Sequence, residues 1–317
     1  MVQGKHEWCG MRLLMTGASG FIGRNVLLAL PQDWEVTAVY HQSENFDDFI
    51  TANGLNQVTP VRADLTASDG TERFSANSKP YDACLYLAAN GDPAVSVTQP
   101  AFDLQANCLA VVRLLEQSEF DRFVYFSSGA VYDGLRGDVD PSSRVAPRLP
   151  YAISKLAAER YLSHFVKQGR IGQSTSVRFF GAYGPHEPAR KIYSRLVKRF
   201  GIEGNPEFTI RGDGSNLIDA MYVDDAVAAI LPLLDSSEWP SVMDLACGRP
   251  VSLSELVRVA ATAFGLDPEI TFEGEVPEYI EFRSADRTFA DLANFDPQTG
   301  LTEGLHKLRE FLVGKNV

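Results

Sequence analysis

The stretch Arg12-Leu13-Leu14-Met15-Thr16-Gly17-Ala18-Ser19-Gly20-Phe21-Ile22-Gly23 decides how the rest of the chain is read. Arg12 to Thr16 is a short apolar run of strand length. Glycines follow at positions 17, 20 and 23, and Phe21 to Leu30 then carries a helical pattern. Glycine permits a tight turn and a close approach of backbone to a ligand. A helix opening at that point offers free N–H groups and a partial positive charge to a pyrophosphate. In this strand–turn–helix setting, Gly17, Ser19, Gly20, Phe21, Ile22 and Gly23 read as a dinucleotide cradle.

Outward from the cradle the chain alternates. Strands are expected at Glu35 to Tyr40, Val58 to Arg62, Ala83 to Leu87, Arg122 to Phe126 and Thr175 to Phe179. Helices are expected between them, notably Ala101 to Ser118 and Tyr151 to Lys167. Such alternation implies parallel pairing through right-handed crossovers. The fold class is therefore α/β, a Rossmann-like doubly wound parallel sheet over 11–178. After 178 the rhythm breaks into a Gly/Pro loop (181–188), a helix from Ala189 to Phe200 and a glycine-rich turn from Arg211 to Ser215. A helix from Asp224 to Leu234 and a strand from Val242 to Ala246 follow, so 221–250 is expected to return to the sheet. Ser252 to Phe264 reads as a helix, with Ser252 and Glu255 forming a capping box. Segments 179–220 and 251–317 are expected to form a smaller C-terminal α/β substrate lobe. It would lie over the edge of the sheet where ligands bind in such folds.

The 317 residues suit one large domain plus a smaller one. A net charge of −12 argues against nucleic acid, whose backbone needs a basic face. No run reaches the roughly 20 apolar residues of a membrane span. Residues 1–10 are polar and read as an extension, not a secretory signal. The four cysteines form no CxxC pair, which predicts free thiols, no metal site and a reducing, cytoplasmic location.

Two further motifs carry chemistry. In Tyr151-Ala152-Ile153-Ser154-Lys155, positions four apart share a helix face. A lysine there is expected to favour phenolate and tune Tyr151 for proton transfer. Ser127-Ser128, just past the fifth strand, places a hydroxyl at the crevice. Alone, the first pattern is usually a solvated face and the second a turn.

In this order and spacing the three motifs resemble the extended short-chain dehydrogenase/reductases, the NAD-dependent epimerase/dehydratase family acting on nucleotide sugars. The likeness continues through Asp64-Leu65, Leu87-Ala88-Ala89, Asn107, Arg178-Phe179-Phe180, Tyr183-Gly184-Pro185, Tyr222-Val223-Asp224-Asp225 and Asp244 to Gly248. The resemblance implies that Tyr151 is the acid/base, that Lys155 tunes it and holds the nicotinamide ribose, and that Ser128 is the family's Ser/Thr. Gly17, Gly20 and Gly23 would hold the pyrophosphate, and Asp64 and Leu65 would flank adenine. Leu87, Ala88, Ala89 and Asn107 would also touch the cofactor. A homodimer through the helices 101–118 and 151–167 is implied as well.

Departures narrow the reaction. Where the 4,6-dehydratases carry an Asp-Glu pair after the Ser/Thr, this chain has Gly129 and Ala130, which cannot move protons. The decarboxylases' glutamate and the 3,5-epimerases' cysteine are missing from the same place. What remains is C4 epimerisation, or reduction of a 4-keto sugar by NADPH. A dinucleotide sensor without catalysis is a third reading, opposed by the presence of Ser128, Tyr151 and Lys155. After the second strand, Tyr40-His41-Gln42-Ser43 lacks the acid that usually binds the NAD ribose. With Arg24, His41 and Ser43 nearby, the cofactor is NAD or NADP, with NADP favoured. The family's arginine before Asp219 is Ile218 here. Arg178, Arg211, Arg249, Arg283 and Arg287 are therefore the candidates to hold a nucleotide-diphosphate sugar.

Overall fold

Leu13, Leu14 and Met15 are all fully buried, although successive side chains of a strand point to opposite faces. A strand apolar on both faces needs cover on both, which is the condition of a parallel sheet between helices. The structure, a computed structural model, describes residues 10–75, 80–234, 239–275 and 280–314. Cys9 and nearly all of the N-terminal extension lie outside the described residues.

Seven strands form the central sheet: β1 (Arg12–Thr16), β2 (Glu35–Tyr40), β3 (Val58–Arg62), β4 (Tyr81–Tyr86), β5 (Phe120–Ser128), β6 (Ile171–Phe179) and β7 (Val242–Leu245). Their order is β7-β6-β5-β4-β1-β2-β3, and every pairing is parallel. The chain leaves β1 toward β2 and β3, then crosses back to β4 on the other side. The ends of β1 and β4 therefore flank the crevice where such sheets bind ligands.

On one face Leu13, Met15, Val36 and Val124 join Val26 and Leu27 of the helix Phe21–Ala29 and Val223 and Ile230 of the helix Val223–Leu233. On the other, Leu14, Tyr86 and Phe123 join Leu114 of the helix Ala110–Gln117 and Leu162 of the helix Pro150–Lys167. β1, β2 and β3 match the ranges read from sequence. β5 and β6 run longer than expected because their ladder continues through polar Ser127, Ser128, Gln173 and Ser174. Backbone pairing, not side-chain polarity, sets those ends.

The helix expected over 101–118 begins at Pro100 and contains a π-helical segment, Gln105–Leu109. The Tyr125 hydroxyl donates to the Asn107 carbonyl at 3.0 Å, an insertion that takes this carbonyl out of the regular ladder. The helix expected over 189–200 is likewise Ile192–Leu196 followed by a π segment, Val197–Ile202. The N-cap half of the expected box forms: Ser252 Oγ accepts from the Glu255 N–H at 3.1 Å.

Outside the sheet, short strands tie distant segments together. Arg136–Val139 pairs in parallel with Glu281–Ser284, and Glu207–Arg211 with Glu269–Glu273. Leu217–Ile218 pairs with Val251–Ser252, and Ala182–Tyr183 with Met221–Tyr222. Among the described residues no helix is long and apolar enough to cross a membrane. No cluster of three or more His, Cys, Asp or Glu among them could hold a metal ion.

Candidate active site

The glycines at the end of β1 leave no room for side chains. Gly17 has φ +67°, and a Cβ there would meet the Ala88 nitrogen at 2.7 Å and the Leu87 carbonyl carbon at 2.8 Å. At Gly23 a Cβ would stand 2.5 Å from the Ala18 oxygen. The turn is thus pressed against both the loop after β4 and the first turn of the helix Phe21–Ala29. Ser19, Gly20, Phe21 and Ile22 are not buried, so the backbone at the helix start is open to a ligand. Leu87 and Ala88 are half-buried beside it and Ala89 is exposed. Gly17 and Gly23 are fixed by these contacts, and the open helix start fits a pyrophosphate.

The cradle's rim carries the residues expected at the adenosine end. Arg24 donates from Nε to the Ser19 carbonyl at 3.0 Å, and from Nη2 to Ser43 at 3.1 Å and Asn45 at 3.0 Å. Its guanidinium stacks 4.5 Å from the Phe49 ring centre. His41 Nε2 lies 3.7 Å from Asp64. Burial pushes the Asp64 carboxyl up, but hydrogen bonds from Thr66 and the nearby His41 leave it below the usual carboxylate range. Leu65 is buried behind it.

At the other end of the crevice, Ser128 closes β5 and its Oγ accepts from the Ala130 N–H at 3.1 Å. Tyr151 stands in the first turn of the helix Pro150–Lys167, with the Ser128 side chain as its neighbour. Lys155, one turn on, is 3% exposed. Its Nζ donates to the Phe126 carbonyl at 2.7 Å and lies 4.9 Å from the Tyr125 ring centre. Burial pulls the Lys155 ammonium down to about 8, against Asp103 and Glu159, which push it up. The expected lowering of Tyr151 is not what the protein alone produces. Burial pushes the phenol up, the Ser128 hydrogen bond pulls it down, and Asp103 pushes it up again. Helix spacing gave the juxtaposition, whereas burial sets the sign.

Beneath Ser128 lies a buried ion pair. Arg178 donates to both oxygens of Glu159, at 3.1 and 2.9 Å, and to the Tyr132 hydroxyl at 3.0 Å. Ser127 donates to Glu159 at 2.5 Å, and Tyr132 to Asp244 at 2.7 Å. Arg178 therefore holds the end of β5 and, at 3% exposure, does not face substrate as expected. Asn107 is corrected in the same way. It is fully buried, with its amide donating to Asp103 and Ser154 and its carbonyl accepting from Asn90, which leaves no face for a cofactor.

The other arginines are exposed and dispersed. Arg249 pairs with Asp296 at 3.1 Å, Arg283 with Asp138 at 2.6 Å and Arg287 with Asp291 at 3.6 Å. Arg211 ends the strand Glu207–Arg211. At Gly129 a Cβ would come 3.1 Å from the Phe180 ring, a tight contact that a larger side chain could enter only with a small shift of the ring. Asp103, Asn90, Ser154 and Phe180 were not read as site residues. The signal for Asp103 was its spacing, one helical turn before Asn107.

The family model for the NAD dependent epimerase/dehydratase family matches residues 13–246, from β1 through β7. The chain belongs to the NAD dependent epimerase/dehydratase family. As a member of this epimerase/dehydratase family it is 28% identical over 315 residues to a UDP-glucose 4-epimerase of Mycolicibacterium smegmatis, across 96% of this chain and 100% of that one. Among solved structures it is similar to the UDP-glucose 4-epimerase of Thermotoga maritima with UDP-glucose. The identity is 25% and the TM-score 0.85, covering 97% and 100% of the two chains. It is also similar to the Thermus thermophilus UDP-glucose 4-epimerase complexed with NAD. There the identity is 26% and the TM-score 0.82, over 96% and 99%.

Proposed function

We propose that this protein epimerises a nucleotide-diphosphate sugar at C4. The observation that carries the reading is Ser128 and Tyr151 brought together at the end of β5, one turn from buried Lys155, with Gly129 and Ala130 where a water-eliminating site would need acids. Ser128, Tyr151 and Lys155 suffice for moving a proton at the sugar 4-hydroxyl, whereas water elimination needs the acid pair that is missing. The bound dinucleotide would supply hydride acceptance and return at C4. Tyr151 Oη would take the 4-hydroxyl proton and give it back after the keto sugar has turned over. Ser128 would orient Tyr151 and the sugar oxygen, and Lys155 would keep a positive charge close to the developing phenolate. The sugar nucleotide would lie against the segments 179–220 and 251–317.

The test is to incubate the protein with UDP-glucose and separate the C4 epimers, with dinucleotide quantified before and after. Epimers at constant dinucleotide support the reading. Stoichiometric loss of NADPH on a 4-keto sugar would replace it with a reductase.

For the cofactor, NADP is the form the rim favours over NAD. Arg24 is stacked and braced, its Nη1 has no hydrogen-bond partner among the described residues, and Ser43 is bonded to it. A guanidinium so placed suits a 2′-phosphate. Dinucleotide released by denaturing the purified protein, identified by mass, decides: NAD alone would remove the role given to Arg24.

A homodimer is proposed through the helices of residues 93–117 and 150–167. Val97, Phe102, Leu109, Ile153 and Tyr161 are exposed there, at 61, 43, 40, 47 and 46%. Apolar side chains gathered on neighbouring helices mark a protein contact. Sedimentation is expected to give twice the 34.8 kDa chain mass. Free Cys84, Cys108 and Cys247 support a reducing, cytoplasmic setting.

A further inference from the structure

Asp103 is 1% exposed, yet no lysine, arginine or histidine among the described residues pairs with it. Three neutral donors surround its carboxylate. Asn90 Nδ2 and Asn107 Nδ2 each donate to Oδ1 at 2.8 Å, and Ser154 Oγ donates to Oδ2 at 2.6 Å. Ser154 Oγ also lies 2.9 Å from the Tyr151 carbonyl, the longer of the two contacts open to its single proton, and the residue lies between Tyr151 and Lys155 on the same helix. A charge buried this deeply without a cation is costly unless something nearby uses it.

We propose that Asp103 is a positioning residue for the Tyr151–Lys155 pair, its buried carboxylate fixing the first turn of their helix through Ser154 and serving as the counter-charge of Lys155. The proposal rests on Tyr151 and Lys155 having the roles given above. Two carboxylates act on Lys155. Glu159, one turn on, is bound by both arms of Arg178, which balances its charge. Asp103 has no such partner, so the net negative charge facing Lys155 comes from it. The other groups around Lys155 are neutral: the Phe126 carbonyl, the Tyr125 ring and the Tyr151 phenol. The directions agree. Asp103 pushes both the Lys155 ammonium and the Tyr151 phenol up. Removing its charge therefore lowers both, so the ammonium is lost at lower pH.

Asp103→Asn keeps the shape and an oxygen for the two amides, while Ser154 turns to accept from the new amide. The readout is the titration of Lys155 in protein carrying ¹³C-labelled lysine, without substrate. Its resonance is identified as the one missing from Lys155→Met. The midpoint is expected to fall by about one pH unit, the scale of a nearby charge, and the alkaline limb of turnover to move with it. Should the Asn variant not fold, Asp103→Ser keeps a small polar group and is expected to move the midpoint the same way. A folded variant whose Lys155 midpoint stays in place overturns the proposal, even if turnover falls equally at every pH. Because the titration needs no substrate, it stands apart from failure of the epimerase reading, which would show as an absence of product.

Discussion

Tyr151→Phe is expected to lower turnover about 10²–10⁴-fold, the range for losing a positioned acid/base, while dinucleotide affinity stays within about threefold. The substitution removes one oxygen from a half-buried ring and leaves the helix Pro150–Lys167 intact. The lost contact is that of the phenol with the Ser128 side chain, so the stability cost should be no more than that of one hydrogen bond, about 0.5–1.5 kcal/mol. Activity and binding are thereby separated. Turnover on UDP-glucose and dinucleotide binding by fluorescence check the two halves. Retention of more than a tenth of the turnover would remove Tyr151 from the chemistry. Loss of binding along with turnover would point instead to collapse of the crevice.

Gly23→Ala should act at the opposite end and with the opposite signature. In an exposed helix interior, alanine is worth about 1 kcal/mol more than glycine. Here the added Cβ would stand 2.5 Å from the Ala18 oxygen and 2.6 Å from the Gly17 oxygen, and neither is a side chain that can swing away. Overpacking of this kind costs about 1–3 kcal/mol, which outweighs propensity. The turn must separate from the helix start, and the N–H groups proposed to hold the pyrophosphate move with it. The variant is expected to melt several degrees below the parent and to bind dinucleotide at least tenfold more weakly. An unchanged or higher melting temperature would mean that the turn is looser than its contacts indicate.

What the sequence made legible was whatever one segment determines by itself. The cradle, β1 to β3 and the Tyr151–Lys155 spacing each depend on residues within a turn or a strand of one another. What it hid depends on partners far along the chain. Arg178 resembles a substrate arginine until Glu159 and Tyr132 are found against it. Asn107 resembles a cofactor ligand until Asp103, Ser154 and Asn90 have taken its amide. Arg283 finds Asp138 across 145 positions, a pairing that no local pattern announces. In sequence, an acid one turn before Asn107 looks like a solvated helix face. Only the fold removes its water.

The strand Arg136–Val139 lies in the stretch of chain that joins Ser128 to Tyr151, and its partner is Glu281–Ser284. During synthesis the first is made long before the second. Asp138 and Arg283 are 145 residues apart, which at the usual pace of translation is roughly 7–30 s. β1 to β5 and the glycine turn between them precede both, so a growing chain can form its nucleotide cleft while the link between its two reacting hydroxyls is still unpaired. The pyrophosphate's cradle is thus made early, and Glu281–Ser284, made late, closes the segment on which the chemistry hangs.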